Sequence, residues 1–156
     1  GDHPQKGGPI VVKNGRYGPY VSHNGVNANL PADKTPDQVT LDEAVGLIDA
    51  RAEPRFKGEV EPLDPIAGHI PGALNRPFAH NIAADGCFKS AEVLKQEFSA
   101  LLAGRDPASV VHHCGSGVSA VPNLLAMEIA GLGSSGLYAG SWSEWSNTPG
   151  LPCAKG

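Results

Sequence analysis

Apolar residues recur every three or four positions through residues 90–104, more regularly than elsewhere in the chain. Ser90 can accept a hydrogen bond from the first helical turn, and Gly104 can adopt the left-handed backbone that often closes a helix. The pattern therefore predicts an amphipathic helix with one buried face. A second helical pattern covers residues 118–129, where Pro122 is acceptable because it falls in the first turn.

Short apolar runs between turn-forming residues predict strands. Residues 74–78 form one such run, which Pro77 ends, and residues 136–140 predict the last buried strand. Between these runs, Asp85 and Gly86 predict a turn.

The first part of the chain has the pattern of a β-hairpin. Two β-prone runs, residues 10–13 and 16–21, flank Asn14 and Gly15, a pair that tolerates the positive φ angles of tight turns. The same pair recurs at residues 24–25 and predicts a second turn.

A glycine-spaced loop begins at Cys114, after an apolar pair at residues 110–111. Gly115 and Gly117 let the backbone curl tightly, so that successive amides point at the sulfur while the next helix adds its positive end. Such a loop favours a thiolate or an anionic persulfide and predicts a reactive cysteine. Taken alone, the loop fits equally well a small buried cysteine at the end of a core strand.

Spacing tests one rival chemistry. Cysteine phosphatases carry an arginine six positions after the cysteine, where the guanidinium clamps a phosphoryl group with two hydrogen bonds. That position is Ala120 in this chain, and no arginine follows in the loop or in the predicted helix. Phosphate-ester hydrolysis is therefore disfavoured.

Composition narrows the function classes further. A net charge of −4 with 18% charged residues leaves no basic field for nonspecific nucleic-acid binding. Cys87, Cys114 and Cys153 include no C-x-x-C pair, which argues against a disulfide framework or a zinc ribbon and predicts a reducing, cytoplasmic setting. With no signal-peptide pattern and no apolar run of membrane-spanning length, we expect no membrane partner. The sequence makes no prediction of oligomeric state.

The segment from Cys114 to Ala120 resembles the active-site loop of the rhodanese superfamily, specifically of the 3-mercaptopyruvate sulfurtransferase type. Other segments resemble further signatures of this family in the same order: Asp49-Ala50-Arg51 with Arg55-Phe56, residues 68–75 and residues 140–145. Together they correspond to the C-terminal, catalytic domain of two-domain sulfurtransferases. The resemblance implies an α/β, three-layer domain with a mainly parallel central sheet.

The resemblance also implies a role for each site residue. Cys114 would take up sulfur as a persulfide, and the Ser116 hydroxyl would stabilise the departing enolate. Arg55 would bind the substrate anion, while Asp49 and Arg51 would support the loop. The remainder of the active-site loop is Gly115, Gly117, Val118 and Ser119. Sulfur would pass from a small-molecule donor to cyanide or a thiol acceptor without a metal or cofactor.

Departures from the family pattern bear on the donor and on activity. We expect the donor to be 3-mercaptopyruvate rather than thiosulfate. Thiosulfate is a dianion, and the loops that prefer it carry basic residues where this chain has Gly115 and Ser116. Leu63 and Asp64 occupy a region where relatives often carry a second substrate arginine, so carboxylate binding would depend on Arg55 and the loop amides. The Asp and His that partner the serine in the family belong to a noncatalytic domain, whose absence predicts low activity.

Three further residues carry structural expectations. His69 is expected to order the turn at residues 68–72 by hydrogen bonding. Trp142 and Trp145 are expected to cover the core and the rim of the site rather than to take part in chemistry.

Residues 1–48 resemble the C-terminal repeats of bacterial DNA topoisomerase I, through residues 15–21, 27–31 and 39–44. This resemblance implies weak single-stranded-DNA contact, because Arg16, Tyr17 and Tyr20 supply a cation and two stacking rings. The alternative is that Tyr17, Tyr20 and Val21 form a small core under the hairpin and bind nothing.

The junction between the two resemblances carries conflicting signals. Residues 40–43 form a capping box that predicts a short helix ending near Ala44, whereas residues 45–49 must be a buried strand in a rhodanese-like fold. We expect domains of residues 1–44 and 45–156, as in a recombinant of two families. The alternative to an active sulfurtransferase is a catalytically weak or inactive recombinant that serves as a structural or weak single-stranded-DNA-binding module.

Overall fold

The computed structural model describes residues 11–15, 18–23, 26–29 and 46–156. Its strands are β1 (Val11–Gly15), β2 (Gly18–His23), β3 (Val26–Asn29), β4 (Gly46–Asp49), β5 (Leu74–Asn75), β6 (Val110–His113) and β7 (Gly136–Leu137). Its α-helices are α1 (Glu53–Phe56), α2 (Ala91–Leu102), α3 (Val121–Ile129) and α4 (Ser141–Asn147). Two 3-10 helices cover Phe78–Asn81 and Pro107–Ser109.

The three N-terminal strands form an antiparallel sheet in the order β1-β2-β3. Gly15 pairs with Gly18, so the connection between β1 and β2 follows Gly15 and the turn predicted at Asn14 and Gly15 is wrong. The ladder continues to the pair Gly15–Gly18, so both residues of the Asn-Gly pair lie in β1 rather than in the connection.

A third strand, β3, extends the predicted hairpin. His23 pairs with Val26, and the turn predicted at residues 24–25 lies outside the described residues. The helix predicted to end near Ala44 lies outside the described residues.

A parallel sheet in the order β5-β4-β6-β7 forms the centre of the C-terminal region. The β4–β6 ladder runs from the pair Gly46–Val110 to the pair Asp49–His113. This confirms the expected α/β fold with a mainly parallel sheet. Because the strands share one direction, their carboxyl ends meet at one edge, where parallel sheets place ligand groups.

Helices cover both faces of the parallel sheet. On one face, α2 and α3 enclose a core of Ile48, Leu94, Phe98, Leu102, Val110, Ala126, Met127 and Ala130. On the other face, a second core consists of Ile70, Ala73, Trp142 and Trp145 with Leu47 and Phe56 packed against it. Leu47 and Ile48 are neighbours in β4 and point to opposite faces, so the two cores define a three-layer domain. Both tryptophans are buried in this core, as predicted, and their position at the rim of the site stays a prediction.

The helix α2 confirms the clearest helical pattern of the sequence. The Ser90 hydroxyl accepts a hydrogen bond from the Val93 amide at 3.4 Å. Ala103 adopts a left-handed conformation, with φ of 50°, one residue before the glycine expected to close the helix. The buried face of the helix consists of Leu94, Phe98 and Leu102.

Two strands are shorter than predicted. β5 ends at Asn75 because Pro77 caps the 3-10 helix that follows. β7 ends at Leu137, which is exposed at the edge of the sheet, so the prediction of a buried last strand is wrong.

Two turn-level predictions have different outcomes. α3 begins at Val121 rather than at residue 118, because residues 118–120 complete the loop after the cysteine. The turn predicted at Asp85 and Gly86 is confirmed, since Gly86 has a φ of +83° and the Cys87 amide donates to the Asp85 carboxylate at 2.9 Å.

Within the described residues, no helix is both long enough and apolar enough to cross a membrane.

Candidate active site

Cys114 directly follows β6 at the carboxyl edge of the parallel sheet. The residue is 1% exposed and packs among Ala50, Ala120 and Leu124. Its carbonyl accepts a hydrogen bond from the Trp142 amide at 3.0 Å, which ties the cysteine to the first turn of α4. The cysteine is thus held at the edge where parallel sheets bind their ligands.

Gly117 gives the loop after the cysteine its tight course. Its φ is +83°, and a Cβ atom at this position would lie 2.5 Å from the Ala139 carbonyl oxygen. Only glycine combines this backbone conformation with so close an approach of another backbone segment.

The loop amides are available to a ligand. The amides of residues 115–119 donate to no backbone carbonyl in the part of the chain that the structure describes. Ser116 and Val118 are exposed, whereas Ser119 is partly buried. These groups follow the cysteine directly in the chain. The predicted orientation of the amides towards its sulfur stays a prediction.

Ser141 is a site residue that was not predicted individually from the sequence. Its hydroxyl accepts a hydrogen bond from the Cys114 amide at 3.1 Å and donates to the Tyr138 carbonyl at 2.9 Å. The side chain is fully buried and φ is 55°, a left-handed conformation that is unusual for a serine. The motif at residues 140–145 contained this serine, but no local pattern signals its contact with the cysteine.

Asp49 and Arg51 form a buried ion pair where β4 ends. Nε and Nη2 of Arg51 bind the Asp49 carboxylate as a fork, at 3.1 and 2.7 Å. The same guanidinium donates to the Gly68 carbonyl at 2.7 Å and lies 4.7 Å from the Trp142 ring centre. The pair therefore connects β4 with the segment at Gly68 and with α4. The same helix donates a hydrogen bond to the Cys114 carbonyl.

Arg55 lies beside the cysteine loop but is already paired with acids. A Cβ atom at Gly115 would lie 3.4 Å from Nη1 of Arg55. Nη2 of Arg55 binds Glu61 at 2.6 Å and Asp64 at 3.3 Å. This pairing was not predicted from the sequence, although the acidic composition of residues 56–68 was an available signal.

Glu61 joins the two arginines. Its second oxygen binds Nη1 of Arg51 at 3.2 Å, and the amides of Leu63 and Asp64 donate to its first oxygen. Burial by itself would raise the pKa of Glu61, but the hydrogen bonds from Arg55 and the two amides outweigh it and lower the pKa below its usual value. Glu61 is therefore ionised at neutral pH.

His69 does not order its own turn in the way that was predicted. Its Nδ1 contacts the Phe56 carbonyl at 2.8 Å, and its ring stacks on the Phe56 ring with centres 3.8 Å apart. The backbone of His69 pairs with Ala154 instead of closing the turn. The side chain therefore ties the segment to α1.

Two buried histidines precede the cysteine in β6. Burial lowers the pKa of His112 to about 4. Burial also lowers the pKa of His113, and the opposing effect of the Asp49 carboxylate, 3.9 Å from Nε2, is smaller. Both rings are neutral at pH 7, so they add no positive charge beside Cys114.

The comparisons with known proteins agree with this arrangement. The family model for the rhodanese-like domain matches residues 32–148. The chain belongs to the rhodanese-like domain family. A Pseudomonas aeruginosa protein named probable 3-mercaptopyruvate sulfurtransferase is 51% identical over 131 residues, which cover 83% of this chain and 46% of that protein. This rhodanese-like chain thus spans about half the length of that relative.

A solved structure supports the family assignment at the level of fold. The 3-mercaptopyruvate sulfurtransferase from Leishmania major superposes on this rhodanese-like chain with a TM-score of 0.60 and 34% sequence identity. The superposition covers 74% of this chain and 33% of the Leishmania chain.

The N-terminal resemblance is also matched. The family model for the topoisomerase C-terminal repeat matches residues 3–59. DNA topoisomerase 1 from Zymomonas mobilis is 49% identical over 53 residues, which cover 34% of this chain and 4% of the topoisomerase. The two family matches overlap over residues 32–59.

Proposed function

We propose that this chain is a sulfurtransferase that moves sulfur from 3-mercaptopyruvate to cyanide or to a thiol through a persulfide on Cys114. The observation that carries the proposal is the position of Cys114 at the carboxyl edge of the parallel sheet, in a loop whose amides lack backbone partners among the described residues. The names of the rhodanese-like relatives favour the same reaction and donor.

The first half of the reaction takes sulfur from the donor. The Cys114 thiolate attacks the donor sulfur, an S–S bond forms, and the C–S bond breaks with its electron pair leaving on carbon as pyruvate enolate. The exposed Ser116 hydroxyl donates a hydrogen bond to the enolate oxygen. The proton on the transferred sulfur moves to the enolate carbon, which gives pyruvate and an anionic persulfide.

The second half passes the sulfur on. The free amides of residues 115–119 stabilise the persulfide anion by hydrogen bonding, in the manner of an oxyanion hole. Cyanide attacks the outer sulfur, the S–S bond breaks, and the Cys114 thiolate returns as thiocyanate leaves. This scheme uses no metal or cofactor.

A monoanionic donor fits the site better than thiosulfate does. Arg55 lies beside the loop at Gly115, and it binds the donor carboxylate in this proposal. Gly115 and Ser116 add no positive charge beside Cys114. A dianion therefore meets less charge compensation than it requires.

A second candidate is a rhodanese-like domain with little or no turnover. One observation favours it: Arg55 is occupied by Glu61 and Asp64. In this case the domain would keep the fold and serve as a structural or weakly DNA-binding module.

Mass spectrometry after a single half-reaction tests the proposal. With 3-mercaptopyruvate and no acceptor, we expect the peptide containing Cys114 to gain the mass of one sulfur atom and to lose it when cyanide is added. Cys87→Ser, which removes an exposed thiol, serves as the matched control and should behave like the parent. Failure of Cys114 to gain sulfur would favour the second candidate.

A further inference from the structure

The Arg55 guanidinium is already occupied at the nitrogen that a carboxylate needs most. A guanidinium grips a carboxylate through two neighbouring N–H groups, either Nε with Nη2 or Nη1 with Nη2. Both forks use Nη2, and in this structure Nη2 binds Glu61 at 2.6 Å and Asp64 at 3.3 Å. The remaining donors, Nε and Nη1, do not share a fork.

The other two nitrogens of the Arg55 guanidinium, Nε and Nη1, bind neither Glu61 nor Asp64. Nε is buried and has no hydrogen-bond partner among the described residues. Nη1 faces the cysteine loop near Gly115. Arg55 can therefore offer a bound carboxylate the N–H groups of Nη1, and a fork of two nitrogens only after an acid releases Nη2.

The charges around Arg55 compensate one another. The ion-pair cluster consists of two cations, Arg51 and Arg55, and three carboxylates, Asp49, Glu61 and Asp64. Two positive and three negative charges give the cluster a net charge of −1. An anionic donor therefore meets a guanidinium whose charge is already balanced, and repulsion grows with the charge of the donor.

The two acids that hold Arg55 differ in how firmly they are fixed. Glu61 bridges both arginines, and its side chain is 3% exposed. The Asp64 side chain is almost as buried, at 6% exposed, but it has Arg55 as its one ion-pair partner among the described residues, at the longer distance of 3.3 Å. Asp64 is therefore the acid that an incoming carboxylate displaces more easily.

We propose that Asp64 is a specificity-determining residue that competes with the donor carboxylate for Nη2 of Arg55. This inference rests on the proposed function. Donor binding releases the Asp64 carboxylate and opens the Nη1–Nη2 fork. Asp64 thereby weakens the binding of anionic donors and disfavours dianions more than monoanions.

The test measures binding without turnover. Pyruvate, the product of the proposed half-reaction, is titrated as a protectant of Cys114 against iodoacetamide, and alkylation of the Cys114 peptide is followed by mass spectrometry. Methyl pyruvate, which lacks the negative charge, is titrated in parallel. The variants are Asp64→Ala, Asp64→Asn and the control Glu59→Ala, which removes an exposed acid from the same segment.

We expect Asp64→Ala to lower the half-protecting pyruvate concentration about tenfold, which is the effect of about 1.4 kcal/mol. Asp64→Asn keeps an oxygen near Nη2 without the charge, so its effect should be smaller. Methyl pyruvate protection should not change, and Glu59→Ala should match the parent.

Three results would overturn the role of Asp64: an unchanged pyruvate titration in Asp64→Ala, an equal shift for methyl pyruvate, or no protection by pyruvate in any variant. The proposed function is tested by a different measurement, the gain of sulfur by Cys114 from 3-mercaptopyruvate. If that gain does not occur, the protection titrations still report whether pyruvate binds and whether Asp64 weakens its binding.

Discussion

Gly117 carries the strictest backbone requirement in the active-site loop. Its positive φ and the nearby Ala139 carbonyl oxygen act together, whereas Gly131 after α3 has a similar φ of +70° and nothing within 4 Å of the position that a Cβ atom would take. A substitution at Gly131 therefore measures the cost of backbone strain alone, whereas the same substitution at Gly117 adds the cost of a steric clash.

We expect Gly131→Ala to lower the free energy of unfolding by about 1 kcal/mol, the cost of a left-handed alanine. Gly117→Ala should lower it by about 2 kcal/mol more, because the loop and the Ala139 backbone must also move apart. Urea denaturation of both variants checks the difference, and sulfur transfer should fall in Gly117→Ala alone. Equal losses of stability and activity in both variants would contradict the role assigned to Gly117.

At the residue scale, the sequence predicts the site residues that are adjacent in the chain, but not the contacts between residues that only the fold brings together. Cys114 and its glycines stand side by side in the chain, so their chemistry could be inferred from the loop itself. Ser141 lies 27 positions from the cysteine whose amide it binds, and its left-handed backbone has no sequence signal. The contacts of Arg55 with Glu61 and Asp64 depend on how an aperiodic loop folds back on α1.

At the element scale, β6 brings two buried histidines into the core beside the cysteine. Both side chains are 0% exposed, and His112 packs edge-on against Phe98 with ring centres 6.5 Å apart. Such a strand is stable only while its histidines are neutral, because a charged imidazole in this core would lack solvation.

This strand predicts a loss of stability in acid. The pKa of His112 falls from its ordinary value of 6.5 to about 4 in the folded chain, so the unfolded chain binds the proton first as the pH falls. The contribution of His112 to stability is complete above pH 6.5 and is lost as the pH falls towards 4. We expect the free energy of unfolding to drop by about 2 kcal/mol between about pH 7 and about pH 5 from His112 alone.

Urea denaturation at both pH values, with His112→Leu as the comparison, tests this expectation. The variant should lose less stability than the parent between the two pH values, by about the 2 kcal/mol assigned to this ring. An identical pH dependence in the parent and in His112→Leu would mean that other groups cause the acid sensitivity.

Elements differ in how far the sequence alone could predict them. The helix α2 was predictable because a cap, a buried stripe and a closing glycine lie within one contiguous segment. β5 and β7 each consist of two residues, and their extent is set by pairing with β4 and β6 rather than by their own patterns. The register of β1 with β2 likewise depends on the partner strand and not on the Asn-Gly pair.

At the scale of the whole molecule, the chain combines matches to two families. The boundary predicted between residues 44 and 45 falls inside the overlap of the two matches and stays a prediction. Single-stranded-DNA contact through Arg16, Tyr17 and Tyr20 also stays a prediction. The three-layer domain places Cys114, its loop and Arg55 together, and the contacts that hold them come from residues within 46–156.

The central claim is that this arrangement transfers sulfur on its own, and cyanide-dependent thiocyanate formation tests it most directly. The full chain and Cys114→Ser are assayed with 3-mercaptopyruvate and with thiosulfate in parallel. We predict turnover that favours 3-mercaptopyruvate and disappears in Cys114→Ser. No turnover from a folded parent chain, or equal turnover in Cys114→Ser, would contradict the claim.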